Sequence, residues 1–523
     1  MKSVVILFAG QLSAHAYDKI FDNSSAVEKM LAWAKKTSED IVIFSTAYLS
    51  APLSAISAEY GAEIVSKDAW TCGLLAEEIS KICDSHGAAY AVYSWADTPF
   101  LNEKLTSELI AQHEKYQSEY TFADGFPYGV APEIIDAGCA RILSALTSSG
   151  QNACSEKPVC RDSIFSIMKG DINSFEIETF ISEKDYRLLR LNFEASSKIN
   201  AVVCERLYEK ALQTGVDICD IYAFCDLAEK SSDVIRSLPS FYNVQITGRY
   251  NHFAVYNPIA ACEKFKKIAC LPDMGIEQFR ALVAQIADFS EEAVVSLSAW
   301  GEPLLHPLFW DFVRVVLAQK NLTVLIETDG LGVQSLQSNF EALTEEEKSR
   351  FYWIVLLDAV DSTLYSKIQN CGACDFDAAV NAVPLLEKYF DGRVYPQMTR
   401  MKANEPSLEA FFRYWHDKGS PSKGELIIQK YDRMCGDLPD EKSADLSPLE
   451  RNPCWHLRRD MVIFADGSVP LCRDFGYDSI VGNVFEESVQ SVWEKSAGIL
   501  DSHLTKNYPE RCRKCDEYYT FNF

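Results

Sequence analysis

Two pairs of cysteines near the end of the chain carry the residue types most suited to chemistry. Cys512 and Cys515 form a CxxC in "RCRKCDEYY", Cys454 lies in "NPCWHL" and Cys472 in "DGSVPLC". A CxxC can close a disulfide, act as a redox pair or supply two corners of a metal site. Four thiolates from two local pairs can hold zinc or an iron–sulfur cluster. The stretch "MVIFADGSVPLC" predicts a hairpin, an apolar run turning at Asp466-Gly467 into a second apolar run. Such a hairpin carries Cys472 back towards Cys454. Zinc ribbons use two CxxC knuckles. The wide spread of the first pair favours a cluster, and spacing alone leaves zinc open.

Composition bounds the rest. The chain has 523 residues, 48% of them hydrophobic, enough for about two to four domains with real cores. Its net charge of -25 opposes phosphate backbones, so no nucleic-acid partner is expected. No apolar run reaches the roughly 18 residues of a membrane span. The opening "MKSVVILFAG" is short and fits a buried first strand better than a signal peptide. A cytoplasmic, reducing location is expected, where the 17 cysteines are not disulfides but mostly small buried hydrophobes.

The elements that must position the cysteines alternate strand and helix. In residues 1–150, "SVVILFAG", "DIVIFST", "AEIVS" and "AAYAVYS" are strands separated by helical stretches, which predicts a parallel sheet. Residues 151–235 have longer helical periods and are expected to connect. Alternation resumes at "FYNVQIT" and runs through "AVVSLSAW", "LTVLIETDG", "YWIVLLDAV", "RVYPQMTRM" and "GELIIQKY", six strands of a partial or full α/β barrel over residues 236–435. The polar stretch "DLPDEKSADLSPLERNP" then links to a small last domain, residues 436–523.

The tail "CWHLRRDMVIFADGSVPLCRDFGYDSIVGNVFEESVQSVWEK", closed by "CRKC", resembles a SPASM domain, the auxiliary iron–sulfur module of many radical SAM enzymes. The resemblance implies one [4Fe-4S] cluster on Cys454, Cys472, Cys512 and Cys515. It also implies a radical SAM barrel upstream. "SAWGEPLLHP" looks like that family's glycine–glutamate motif, which places the backbone of Gly301, Glu302 and Pro303 at the amino end of S-adenosylmethionine. "IETDGL" and Asp358 in "LLDAV" fall where family strands end. After the first barrel strand the family has Arg-Cys-Asn-x-x-Cys-x-x-Cys, whose thiolates bind three irons of the cluster that cleaves S-adenosylmethionine. This chain has "GRYNHFAVYNP", which keeps Arg249 and Asn251 but puts Tyr250, Ala254 and Asn257 at the three cysteine positions. None of the three is a soft-metal ligand. Cys262 and Cys270, or Cys371 and Cys374 in "NCGAC", lack the spacing to replace them.

The first 150 residues resemble sugar-nucleotide cytidylyltransferases. In "LFAGQLSAHAYDK", Ser13 and Lys19 align with the family's phosphate loop, and His15 stands at its arginine. "YSWADTPFL" resembles the segment that carries the family's Mg²⁺-binding aspartate, here Asp97, and "FPYGVAPEII" resembles a later Pro-x-Gly-x-x-x-Glu segment with Pro127, Gly129 and Glu133. The whole architecture resembles the spirochaete spiro-SPASM proteins.

The expected class is therefore α/β: a nucleotidyltransferase-like (Rossmann-like) sheet, a partial (β/α)6 radical SAM-like barrel and a SPASM domain. The expected function is an iron–sulfur protein whose primary cluster site is lost, in a redox, structural or regulatory role with a redox partner protein. One alternative is an active cytidylyltransferase using CTP, Mg²⁺ and a small sugar substrate. Another is a radical SAM enzyme on a rebuilt cluster.

Overall fold

The computed structural model describes residues 1–148, 154–445 and 447–519. They form two compact units, Met1–Ile235 and Arg236–Phe523.

The first unit is built on seven strands: β1 (Ser3–Ala9), β2 (Asp40–Thr46), β3 (Glu63–Lys67), β4 (Tyr90–Trp95), β5 (Tyr120–Asp124), β6 (Glu133–Asp136) and β7 (Ile177–Ile181). They lie in the order β3-β2-β1-β4-β6-β5-β7. All neighbours are parallel except that β6 runs against both β4 and β5. Val4 to Ala9 are wholly buried, as a central strand covered on both faces requires. The 151–235 stretch folds with this unit and adds β7 at the sheet edge as well as the helix Lys198–Thr214.

The second unit holds β8 (Phe241–Val244), β9 (Ala293–Ser296), β10 (Leu322–Thr328), β11 (Phe351–Leu356), β12 (Val394–Arg400) and β13 (Ile427–Lys430). They pair in sequential order, each parallel to the next, which makes the expected partial or full barrel a half-barrel. Its core joins strand residues such as Val295, Val324 and Trp353 to helix residues such as Phe279, Phe312 and Leu386.

The tail departs from expectation. β14 (Asp460–Ile463) joins the barrel sheet beside β8 and parallel to it. β15 (Ser468–Pro470) instead pairs antiparallel with β16 (Ile480–Asn483). The turn at Asp466-Gly467 is present, since the Gly467 amide donates to Phe464 O and the Phe464 amide to Ser468 O, both at 2.9 Å. The expected hairpin ladder is not. The free edge of β8 offers a full run of backbone partners, and an apolar run such as Met461–Ile463 is buried better there than in a two-stranded ribbon. The SPASM segment is thereby fused to the barrel wall.

Candidate active-site cavity and cysteine cluster

At the carboxyl ends of the barrel strands lies a cavity of about 210 Å³. Tyr250, Ala254 and Asn257 all line it, together with Gly301, Glu302 and Asp329. The fold thus brings the three positions expected to bear thiolates to one place, and places no thiol there. Instead Tyr250 is hydrogen-bonded to Asn257, and Tyr250 and Tyr256 pack on an apolar cluster that includes Phe265, Trp300 and Met434. Asn257 Oδ1 also accepts from the Ile259 amide at 3.0 Å, capping a short helix. These side chains do not fit a three-thiolate cluster. Among the cysteines outside the tail, the Cys262 thiol points at Asp437 O and Cys270 is exposed at a helix end.

The glycine–glutamate segment is held tightly. A Cβ on Gly301 would stand 1.9 Å from Thr247 O, so only glycine lets the two loops touch. The Glu302 amide donates to Arg249 O at 2.8 Å. Its carboxylate accepts from Thr328 Oγ1 at 2.8 Å and the Asp329 amide at 2.9 Å, tying β9's loop to the end of β10. Pro303 is buried at the start of the following turn. Asn251, retained from the family motif, donates to Asp329 Oδ2 at 2.8 Å. Burial, and then the nearby Asp329 charge, push Glu302 up to about 8 from its usual value near 4.5. Folding therefore favours its protonated form. That contribution is complete below about pH 4.5 and is lost as pH rises through about 8. Unfolding free energy is expected to fall across this window by on the order of a few kcal/mol, and Glu302→Gln, permanently neutral, flattens the slope. Denaturant titrations at pH steps between about 5 and 8 check this; an unchanged slope in the variant contradicts it.

Arg473 joins the cavity to the cysteines. It lines both this cavity and a second one of about 60 Å³, whose wall includes Cys472 and Asp474. It pairs with Asp432 at 2.5 Å and stands over the Trp300 ring at 5.8 Å. Lys430, at the end of β13, pairs with Glu517 and, at 3.2 Å, with Asp516 from the tail.

The four expected cysteines are linked by charge effects that run through Cys454 and Cys515. Burial and the charges of its neighbours, Cys454 and Cys515 among them, raise Cys472. Cys454 is raised by burial and then by Cys515 and Cys512, and Cys512 goes up to about 11 for the same reasons. Cys454, Cys472 and Cys512, whose ionisation burial and neighbouring thiols oppose, suit a site whose bound metal supplies the positive charge. The Glu517 amide donates to Cys515 Sγ at 3.3 Å, the kind of contact that tunes cluster sulfurs. A zinc tetrahedron draws its sulfurs to edges of about 3.8 Å. Among the described residues, no group of donors all within 4.8 Å of one another contains three of these four cysteines.

One cysteine at this site was not legible in sequence. Cys435 is hydrogen-bonded to Cys515, and its sulfur, Cys515 Sγ and an Asp474 oxygen lie within 4.8 Å of one another. It sits in a turn where Met434, Cys435 and Gly436 all take positive φ, at 49°, 58° and 90°. Two consecutive non-glycine residues in that region are costly, and the turn they form aims the thiol at Cys515.

In the first unit the expected nucleotide residues are engaged with protein partners. Ser13 Oγ donates to Ala195 O at 2.8 Å, and Lys19 pairs with Glu28. Asp97, wholly buried, takes both arms of Arg161 at 2.8 and 2.7 Å. Arg161 also lies over the Trp95 ring at 3.8 Å. Arg161→Ala strands a buried carboxylate and is expected to cost the first unit about 3–5 kcal/mol, read from its denaturant midpoint.

Comparison with known proteins places this arrangement. Residues 454–516 match SPASM, an iron-sulfur cluster-binding domain. An uncharacterized protein of Treponema pallidum (strain Nichols) is 37% identical over 373 residues, covering 70% of this chain and 99% of the relative. The chain belongs to that protein's family. Among solved structures, Streptococcus suis SuiB bound to S-adenosylmethionine matches at 11% identity and a TM-score of 0.38, covering 60% of this chain and 82% of SuiB. A cytidylyltransferase from Leptospira borgpetersenii serovar Hardjo-bovis (strain JB197) matches at 15% identity and a TM-score of 0.37, covering 45% of this chain and 98% of the other. The SPASM domain expected from the cysteines is thus present in this family member, beside the sequential parallel sheet expected upstream of it. Its 17 cysteines are free thiols, and among the described residues no helix is long and apolar enough to cross a membrane.

Proposed function

We propose that this protein carries one [4Fe-4S] cluster on Cys454, Cys472, Cys512 and Cys515 and uses it for electron transfer or sensing, without radical S-adenosylmethionine chemistry. The observation that carries the reading is the pairing of a buried tail of thiols with a barrel mouth lined by Tyr250, Ala254 and Asn257. The cluster supplies a one-electron redox centre, and the chain's residues tune it. Asp516 and Glu517 are matched by Lys430 and Lys442, and Asp474, with an oxygen within 4.8 Å of Cys515 Sγ, is matched by Arg473 at 3.4 Å. Arg473 spans the wall between cluster and cavity, so a ligand in the cavity and the charge on the cluster act on the same guanidinium.

The cavity suits a small polar molecule. Asn243 Oδ1 and Trp300 Nε1 are buried there with no protein hydrogen-bond partner, one an acceptor and one a donor. S-adenosylmethionine is one molecule that the Gly301-Glu302-Pro303 segment suggests. CTP turnover in the first unit is not favoured, since Lys19 and Asp97 are already paired.

Dithionite added to the anaerobic protein tests the reading. We expect bleaching by one electron per chain and, with S-adenosylmethionine present, no 5′-deoxyadenosine. Deoxyadenosine formed at the rate of electron delivery would contradict it.

A further inference from the structure

The loop that bears no cluster thiols carries a different metal-ligating group. His252, Cys371 and Asp375 each offer a donor atom, and these atoms all lie within 4.8 Å of one another. His252 comes from the loop after β8, and it lines the large cavity. Cys371 and Asp375 come from "NCGAC" and the residue after it, far along the chain. Nothing in the proposed redox role uses any of the three.

The convergence is built by the backbone. The Val255 amide donates to Ile368 O at 2.9 Å, tying the loop to the end of the helix Ser362–Gln369. That helix stops at Asn370, which takes a left-handed φ of 57°. The Cys371 amide returns to Ser366 O at 3.2 Å, which fixes where Cys371 begins. Asp375 occupies the first turn of the next helix, Ala373–Glu387, and accepts from the Gly372 amide at 3.2 Å.

The tautomer of the imidazole is set as a ligand's would be. Gln369 Nε2 donates to Asp358 Oδ2 at 2.6 Å, so the amide oxygen faces the other way. That oxygen lies 3.2 Å from His252 Nε2, which must then be the protonated nitrogen. The lone pair is left on Nδ1. Metal-bound histidines characteristically donate their second N–H to a carbonyl or carboxylate, and the Asp358–Gln369–His252 chain supplies this.

We propose that His252, Cys371 and Asp375 form a mononuclear site for a divalent transition metal of the zinc class at the mouth of the barrel. One thiolate, one imidazole and one carboxylate are a borderline-soft set that suits zinc and excludes magnesium or calcium. Tetrahedral edges for these donors are about 3–4 Å, so partly exposed side chains close the site with small movements. Three protein ligands leave a fourth position for water or for a molecule in the adjoining cavity. That is the pattern of a catalytic rather than a structural zinc site. The proposal does not depend on what the tail cysteines bind.

The test uses full-length protein, anaerobic and with its tail metal loaded. Zinc is measured after dialysis against buffered zinc, and cobalt(II) replaces it for spectroscopy. We expect one zinc per chain beyond the tail's metal and a cobalt–thiolate charge-transfer band. Cys371→Ser abolishes the band, and His252→Ala weakens binding at least 10-fold. Because Cys374 is a neighbouring thiol, Cys371→Ser/Cys374→Ser is the second variant. Iron content and the thermal midpoint report on folding independently of this site. A cobalt band that survives both cysteine variants and His252→Ala, or no zinc beyond the tail's metal, overturns the proposal. Loss of tail iron in the unmodified protein would count against the cluster reading alone.

Discussion

Cys472→Ser is expected to strip the tail of iron, taking anaerobically purified protein from about four irons per chain to fewer than one. Cys472 is half-buried beside Cys454 and Cys515, and its neighbour Arg473 is committed to Asp432 and Asp474. Cys454→Ser and Cys512→Ser should behave the same way. Cys515→Ser should differ, because Cys435 already lies at hydrogen-bonding distance from Cys515. That variant should keep much of its iron, with a shifted spectrum, and lose it only when Cys435→Ser is added. Equal iron loss in Cys515→Ser and in the double variant would show that Cys435 is a bystander. Iron unchanged in Cys472→Ser would remove the ligand assignment altogether.

The second large effect is a gain. Tyr250→Cys, Ala254→Cys and Asn257→Cys together restore the CxxxCxxC spacing in a loop whose three positions already face one cavity. Reconstituted with iron and sulfide, the triple variant should take up close to twice the iron of the parent. Its uptake at the mouth should persist when Cys472→Ser has emptied the tail. The loop should tolerate the change at Ala254, which is buried but small. It should lose some order at Tyr250 and Asn257, which contribute aromatic packing and a helix cap. If the triple variant binds no more iron than the parent, the mouth has lost more than its ligands, and the comparison with a radical SAM loop fails at the level of shape.

Much of this was legible from pattern alone. "DIVIFST" is β2 to the residue, and the six strand runs from "FYNVQIT" to "GELIIQKY" each hold one strand of the half-barrel. Buried parallel strands are continuous apolar runs, so their signal is local. The fate of "MVIFADGSVPLC" was not local. Whether an apolar run pairs with its own continuation or with a distant open edge depends on β8, more than two hundred residues earlier, being free on one side. The same reason hid the finer chemistry. Cys435 stands alone in "DRMCGD", with no spacing to mark it, and only its turn of positive φ shows its direction. Asp97 has the expected residue type, yet no motif reveals that Arg161 holds it. His252 and Cys371 belong to two segments noted separately in the sequence, and only the fold brings their side chains together.

The central claim is that the mouth's cysteine positions no longer hold a cluster while the tail still does. Iron and acid-labile sulfide per chain, measured on protein purified without oxygen, test it most directly. The account predicts about four of each, with the broad visible absorption of a [4Fe-4S] centre. Colourless protein holding zinc in the tail and no sulfide, or protein holding about eight irons, would contradict it.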